Sequence, residues 1–441
     1  MHKTMRFLYE VVFFIFSFFY LPVFIAKGKF GASWRERFGR VPREVSKTLS
    51  SERVLWVHAV SVGEVGLAIG FLDRLREALP EFRFVITTTT LAGHEVAQKI
   101  KKEEDVLLYF PVDFRSAIRR FIKSISPEVM VLFETEIWPN LIWELSARKI
   151  PVFILNGRIS DRAFQQYRKI RVFLKRVLGH LSLIAAQDER MRGRFIALGA
   201  DPEKVTVTGN VKFDWKPVQG AAPAEAQRLQ RFCKKASEFL CVAGSTHEGE
   251  EEVFFSIHRK LQNSCPGFRL LIAPRHLNRM AAIETSALKY GLSARRIGLE
   301  DRGFEKAIHE GEILLLDQMG VLPFLYETAD LVFVGGSLVP VGGHNLVEPA
   351  YFERPILFGP FMNNFLEMAE EFKKNEAACP VKDAGDLEKN ILDLFSTPAR
   401  RQSLGKAAKR LVLHHQGAQQ RNIELLVETL GRTVERKLVT A

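Results

Sequence analysis

Cysteine is scarce in this chain: Cys233, Cys241, Cys265 and Cys379 are the only four in 441 residues, and none stands in CxxC spacing. That argues against a disulfide scaffold or a thiolate zinc module and fits reduced, packing cysteines of a cytosolic domain. The HExxH spacing is absent, so His247-Glu248 resembles a zinc motif only superficially. There is no Asp-x-Asp, hence no obvious carboxylate pair to hold a metal on a diphosphate. Internal repeats and low-complexity tracts are missing too. What remains is an ordinary globular composition, 47% hydrophobic and 26% charged. A chain of 441 residues exceeds the usual span of one core, so two domains are expected. The 63 basic and 51 acidic residues leave a formal charge of +12, which calls for an acidic partner: nucleic acid, anionic lipid or a phosphorylated substrate.

One long apolar run is present, residues 7–26, broken only by Glu10, Ser17 and Pro22. About twenty residues can span a bilayer core. Lys3 and Arg6 precede the run, and Lys27, Lys29, Arg35, Arg37 and Arg40 follow it. The heavier basic cluster is C-terminal, which places the rest of the chain on the cytoplasmic side. The small-residue site Gly31-Ala32-Ser33 lies beyond two lysines, which argues against a cleaved signal peptide. The run reads as a membrane anchor, with spanning and interfacial seating both open because of Glu10 and Pro22. The alternative is a buried core helix.

From residue 53 onward the pattern alternates strand and helix. Apolar, β-branched runs at 54–60, 84–90, 106–110, 129–133, 152–155, 183–186 and 205–209 predict the strands of a parallel, doubly wound sheet. A polar stretch over 216–230 reads as an interdomain linker. The pattern then restarts, with strands expected at 239–243, 270–273, 313–316, 331–334 and 355–358. The division expected is an anchor over 1–30, a first Rossmann-like domain over 31–215, a second over 216–410 and a helical tail over 411–441. Two such halves in tandem would leave a central cleft, where the C-terminal ends of strands aim their loops at a ligand.

The candidate chemistry sits at those strand ends. Gly335-Gly336-Ser337 and Gly342-Gly343-His344-Asn345 surround one turn before a helix expected from Leu346. Glycines let backbone approach a ligand, and a helix start offers N–H groups to an anion. The alternative is a capping box, with Asn345 as the cap and Glu348 reaching back. Glu64 opens a helix straight after the first strand and could act as a general base, unless it is a solvated acid favoured by the helix dipole. Glu134 and Glu136 form a second acidic strand end, with the same alternative. Asp113 reads as turn chemistry. Arg275 ends a buried strand and could fork onto phosphate, or serve an ordinary ion pair. Lys212, near the domain junction, could meet a leaving phosphate or simply face solvent.

Taken together, HAVSVGE at 58–64, FETEIWPN at 133–140, GSTHEGEE at 244–251, APRH at 273–276 and GGSLVPVGGHNLVEPA at 335–350 resemble the Kdo transferases of lipopolysaccharide synthesis, over nearly the whole chain. The resemblance implies a GT-B fold and transfer of 3-deoxy-D-manno-octulosonic acid (Kdo) from CMP-Kdo to a lipid A precursor, without metal or cofactor. It makes Glu64 the proton acceptor, with Glu134 and Lys212 supporting the transition state. Pro274 and Arg275, then Met319, Gly320 and Val321, then Asn345, Leu346, Val347 and Glu348 fall on its CMP-binding positions. The family often has an acidic residue where Val321 stands, so that contact would run through backbone. The implied partners are CMP-Kdo, the lipid acceptor and the anionic surface of the inner membrane, met from its cytoplasmic side and not involving nucleic acid. A competing enzyme class is a GT-B transferase using a UDP-sugar on another lipid. A non-catalytic module binding anionic lipid is a third possibility, against which Glu64, Arg275 and Glu348 together argue.

Overall fold

The computed structural model describes residues 2–26, 33–59, 71–216, 223–235, 238–262, 264–299, 308–309 and 311–439. The chain divides into two compact units, 1–212 with 417–441, and 213–416. In the first, strands β1 (Arg53–His58), β2 (Phe82–Thr88), β3 (Val106–Tyr109), β4 (Pro127–Phe133), β5 (Val152–Gly157), β6 (Leu183–Ala186) and β7 (Val205–Val207) form one sheet in the order β3-β2-β1-β4-β5-β6-β7. Every pairing is parallel. Side chains alternate across it: Val54, Trp56, Met130, Leu132 and Ile154 pack on one face, and Leu55, Val57, Val131, Phe133 and Phe153 on the other. Both faces are covered, which is why the strands read as continuous apolar runs and not as alternating ones.

The second unit repeats the plan with β8 (Phe239–Thr246), β9 (Phe268–Pro274), β10 (Ala294–Ile297), β11 (Ile313–Leu316), β12 (Leu331–Val334), β13 (Ile356–Phe358) and β14 (Cys379–Pro380), in the order β10-β11-β9-β8-β12-β13-β14. It too is parallel throughout. In each sheet the chain crosses to the other side of its first strand, between β1 and β4 and between β8 and β12. Such a switch point leaves a crevice at the strand C-termini, the usual seat of a ligand in a doubly wound sheet.

Several segments differ from the sequence expectation. Residues 224–233 form a helix that buries Ala226, Leu229 and Cys233 in the second unit instead of a linker. Gly244-Ser245-Thr246 belongs to β8, where a register shift lets Ser245 take a φ of 57°. Strand β10 went unrecognised because two of its four residues are arginines; at a sheet edge these pair outward with Glu312 (2.8 Å) and Glu284 (2.7 Å). The N-terminal helix His2–Ala26 is not a core helix: Phe7, Phe14, Phe18 and Phe19 are more than 60% exposed. Its other side docks, with Tyr9 donating to Asp113 (2.8 Å), Phe13 against Phe114 and Arg6 donating to Asn140 (3.2 Å). Among the described residues no helix is long and apolar enough to cross a membrane.

The expected C-terminal tail also divides differently. Residues up to Gln416 belong to the second unit, while the helix Ala418–Val439 returns to the first. There Ala418, Ile423 and Leu426 cover the β-sheet face that holds Leu155 and Phe153. Asn422, fully buried, accepts the Asn156 N–H at 3.3 Å and donates to Thr208 Oγ1 at 2.9 Å. Asn422→Ala leaves both groups without that partner, so the first unit is expected to lose about 1–3 kcal/mol. Thermal unfolding checks this, and an unchanged melting curve would mean the helix is held by its apolar face alone.

Candidate active site

At the first switch point, β1 ends on His58. Its ring is buried and stacked on Phe110, and Nδ1 lies 3.0 Å from the Thr87 carbonyl. Donation there leaves Nε2 as the lone-pair nitrogen. Nε2 has no hydrogen-bond partner among the described residues and stands 3.8 Å from Glu136. The chain then enters residues 60–70, so Glu64 lies outside the described residues.

On the neighbouring strand, Glu134 follows β4 in a left-handed conformation, φ 56°, with its N–H bonded to the Leu155 carbonyl. Strain of this kind persists where surroundings over-determine it and is common in functional sites. The buried carboxylate has Lys212 Nζ at 3.6 Å and Arg158 at 3.8 Å. Glu134 and Lys212, distant in sequence, are thus brought together. Glu136 turns away to accept from Trp138 Nε1 at 2.8 Å. Asp113 is indeed structural: it caps the helix Pro139–Ser146 from outside, accepting the N–H groups of Asn140 and Leu141. Burial raises its carboxyl to about 7, against those bonds and the Tyr9 hydroxyl.

At the second switch point the glycine-rich turn has an organiser that the sequence reading passed over. Glu250, fully buried, accepts the N–H groups of Gly336, Ser337 and Leu338 at 2.7–3.0 Å, and that of His247 at 2.9 Å. Three amides expected to serve an anionic ligand therefore already hold an internal carboxylate. The acidic run Glu250-Glu251-Glu252 shortly after a strand is the available signal; it reads as ordinary helix-start acids. Glu251 is likewise taken, by Arg279 at 2.9 Å and the Thr246 hydroxyl. Glycine is required in this turn, since a Cβ at Gly335 would sit 2.4 Å from the Ser245 carbonyl oxygen.

Residues expected at the donor site fall into two groups. Arg275 is exposed just after β9, its backbone N–H tied to the Thr246 carbonyl. Glu348 carries the field of Arg275 and a hydrogen bond from Asn345, yet burial raises it to about 7. The buried Tyr326 also faces Glu348. Met319 is 56% exposed beside Gly320, which has open surroundings. Pro274, Val321, Leu346 and Val347 have buried side chains, so only their backbone can meet a ligand. No capping box forms: Asn345 Oδ1 accepts the Val347 N–H at 3.0 Å in an Asx turn, and the helix Val347–Tyr351 has no side-chain cap. A cavity of about 620 Å³ lies elsewhere, beside the N-terminal helix, lined by Arg6, Phe7, Trp143 and His180.

A family model described as 3-deoxy-D-manno-octulosonic-acid transferase (kdotransferase) matches residues 32–215. A 3-deoxy-D-manno-octulosonic acid transferase of Haemophilus influenzae is 33% identical over 381 residues, 86% of this chain and 88% of that protein. A bifunctional glycosyltransferase/methyltransferase of Fusobacterium nucleatum is 33% identical over 345 residues; the match spans 78% of this chain but only 53% of that longer protein. Among solved structures, a glycosyltransferase of Rickettsia africae superposes with a TM-score of 0.54 at 12% identity, covering 86% of this chain and 99% of that one. At that identity the likeness speaks for the fold alone, which is GT-B.

Proposed function

This chain belongs to the 3-deoxy-D-manno-octulosonic acid transferase family, and from that membership we propose that it carries Kdo from CMP-Kdo to lipid IVA, a lipid A precursor. It is a glycosyltransferase of lipopolysaccharide synthesis. In the reaction proposed, Glu64 takes the proton of an acceptor hydroxyl whose oxygen attacks the anomeric carbon. The bond from that carbon to the phosphate oxygen breaks with inversion, and CMP departs with the electron pair. Glu134 and Lys212 support the transition state, and Arg275 neutralises the phosphate by charge-assisted hydrogen bonds. Asn345 and Glu348 hold the nucleotide; a carboxylate should avoid phosphate and suit ribose hydroxyls. The second unit would bind the donor and the first the acceptor.

The observation carrying this reading is the grouping of Arg275, Asn345 and Glu348 beside the switch point of one sheet. Turnover of radiolabelled CMP-Kdo with lipid IVA tests it. Transfer from a UDP-sugar in its place, or from neither donor, would overturn it.

Glu348 gives the donor site a pH signature. The acceptor role needs the ionised carboxylate, whose burial-raised value of about 7 puts ionisation in the neutral range. Cytidine, which has no phosphate to titrate, should bind up to about tenfold more tightly at pH 8 than at pH 6, and Glu348→Gln should abolish that slope. Stability runs the other way. The folded value lies above the ordinary 4.5, so the empty domain gains stability from this group at low pH and loses it as pH rises through about 7. Calorimetric titration across that range checks the binding.

We propose further that the N-terminal helix seats the enzyme on the cytoplasmic face of the inner membrane, lying in the interface. The support is a helix docked by Arg6, Tyr9 and Phe13 while Phe18 and Phe19 stay open. Phe18→Ser with Phe19→Ser keeps the docked face and should release most of the protein from membranes in flotation assays. Unchanged flotation would refute this seating.

A further inference from the structure

Two histidines meet across the second switch point. His247 directly follows β8, and His344 belongs to the glycine-rich turn after β12. Their Nε2 atoms lie 3.0 Å apart, with the rings 9° from parallel. A third imidazole, His276, stands edge-on to His247 at 5.5 Å between ring centres, one residue beyond Arg275. None of the three has a part in the nucleotide contacts proposed above.

The pair is built. The same Glu250 carboxylate that gathers Gly336, Ser337 and Leu338 also accepts the His247 N–H, so one buried anion fixes both loops that bear the imidazoles. A Cβ at Gly336 would lie 3.2 Å from both rings, so the turn packs closely on them. Two imidazole nitrogens at 3.0 Å share one proton, one ring donating and the other accepting. The surroundings are cationic: Arg275, His276 and Arg279 face the pair. The nearby carboxylates Glu250 and Glu251 are already committed to backbone amides and to Arg279. Burial and these positive neighbours hold His344 down at about 4 and lower His247 as well. Arg275 also faces Glu348 and Arg279 faces Glu248, yet neither imidazole ring is hydrogen-bonded to a carboxylate among the described residues.

CMP-Kdo carries two anionic groups on one carbon. The anomeric centre of an ulosonic acid bears both the phosphate ester and the sugar's own carboxylate. With Arg275 on the phosphate, the carboxylate must lie within a few ångströms of it, and a neutral hexose nucleotide would bring nothing to that place. We propose that His247 and His344, with His276 beside them, receive the carboxylate of the sugar donor and so select an acidic 2-keto sugar over a neutral one. The inference rests on the donor reading given above. It makes the imidazole pair a specificity element for the sugar, separate from the residues that hold the nucleotide. Selection of this type is strong because a neutral sugar would bury the pair without its anion.

The test separates sugar from nucleotide. His344→Asn and, as a second variant, His247→Asn are compared with the unaltered enzyme in two measurements: the affinity for CMP by calorimetry, and KM for CMP-Kdo made in situ by a coupled synthesis. The expected result is a KM raised about tenfold or more with the CMP affinity within about twofold, for both variants. Retained CMP affinity also reports that the turn is still folded. A CMP affinity that falls as KM rises would overturn the inference, because the pair would then serve the nucleotide or the turn itself. An unchanged KM would overturn it as well. Failure of the donor reading looks different: the unaltered enzyme would not turn over CMP-Kdo at all.

Discussion

Glu64→Gln is expected to cut Kdo transfer by about 10²–10⁴-fold, the usual cost of removing a general base, while CMP affinity stays as it was. Strand β1 ends at His58, and its neighbour β4 delivers Glu134 at the same end. The switch point between β1 and β4 is where a doubly wound sheet presents a ligand, and Glu64 follows His58 by six residues in sequence. Glutamine keeps the size and hydrogen-bonding reach of the side chain but cannot take a proton, so the loss should fall on the chemical step. Single-turnover rates with saturating donor read that step directly. A folded Glu64→Gln enzyme with near-normal single-turnover rates would remove Glu64 from the role.

Glu250→Ala should do comparable damage by another route. It strips one acceptor from four backbone N–H groups at once. Each buried amide left unpartnered costs about 1–3 kcal/mol, and some will find water, so a net loss of about 3 kcal/mol or more is expected for the second unit. CMP binding should vanish with it, because the turn carrying Asn345 and Glu348 would no longer be held. Glu250→Gln retains one acceptor oxygen and should fall between the two. Differential scanning calorimetry with CMP titration on the same samples decides the matter. Normal melting of Glu250→Ala would show that the turn is shaped by its glycines alone.

The sheets were legible before the structure, and the reason is physical. A strand buried on both faces, such as Ile313–Leu316 or Leu331–Val334, must be apolar at every position, and such runs stand out. Edge strand β10 hid because an edge is partly wet and can carry Arg295 and Arg296. Within the candidate site, a residue type unusual for its place stands out in the sequence, as with Arg275 after a buried strand. It was not legible where the partner is remote in sequence. Nothing local to Glu134 points to Lys212, and nothing local to the glycines points to Glu250, since both pairings are products of the parallel topology. The capping-box expectation failed for a related reason. Asn345 and Glu348 have suitable spacing, but the turn is held from across the switch point and leaves Asn345 free to form an Asx turn.

The return of the helix Ala418–Val439 to the first sheet bears on how the chain is made. A ribosome releases the second unit, 213–416, in full before it has supplied the helix that covers Phe153 and Leu155. The first unit, although translated first, therefore waits with the part of one apolar sheet face around Phe153 and Leu155 open for the time needed to synthesise some two hundred residues, on the order of 10–40 s. Folding of the two halves is then completed in the reverse of their order of synthesis. Nascent chains stalled before residue 417 should accordingly present a binding face for chaperones that chains stalled after residue 439 do not.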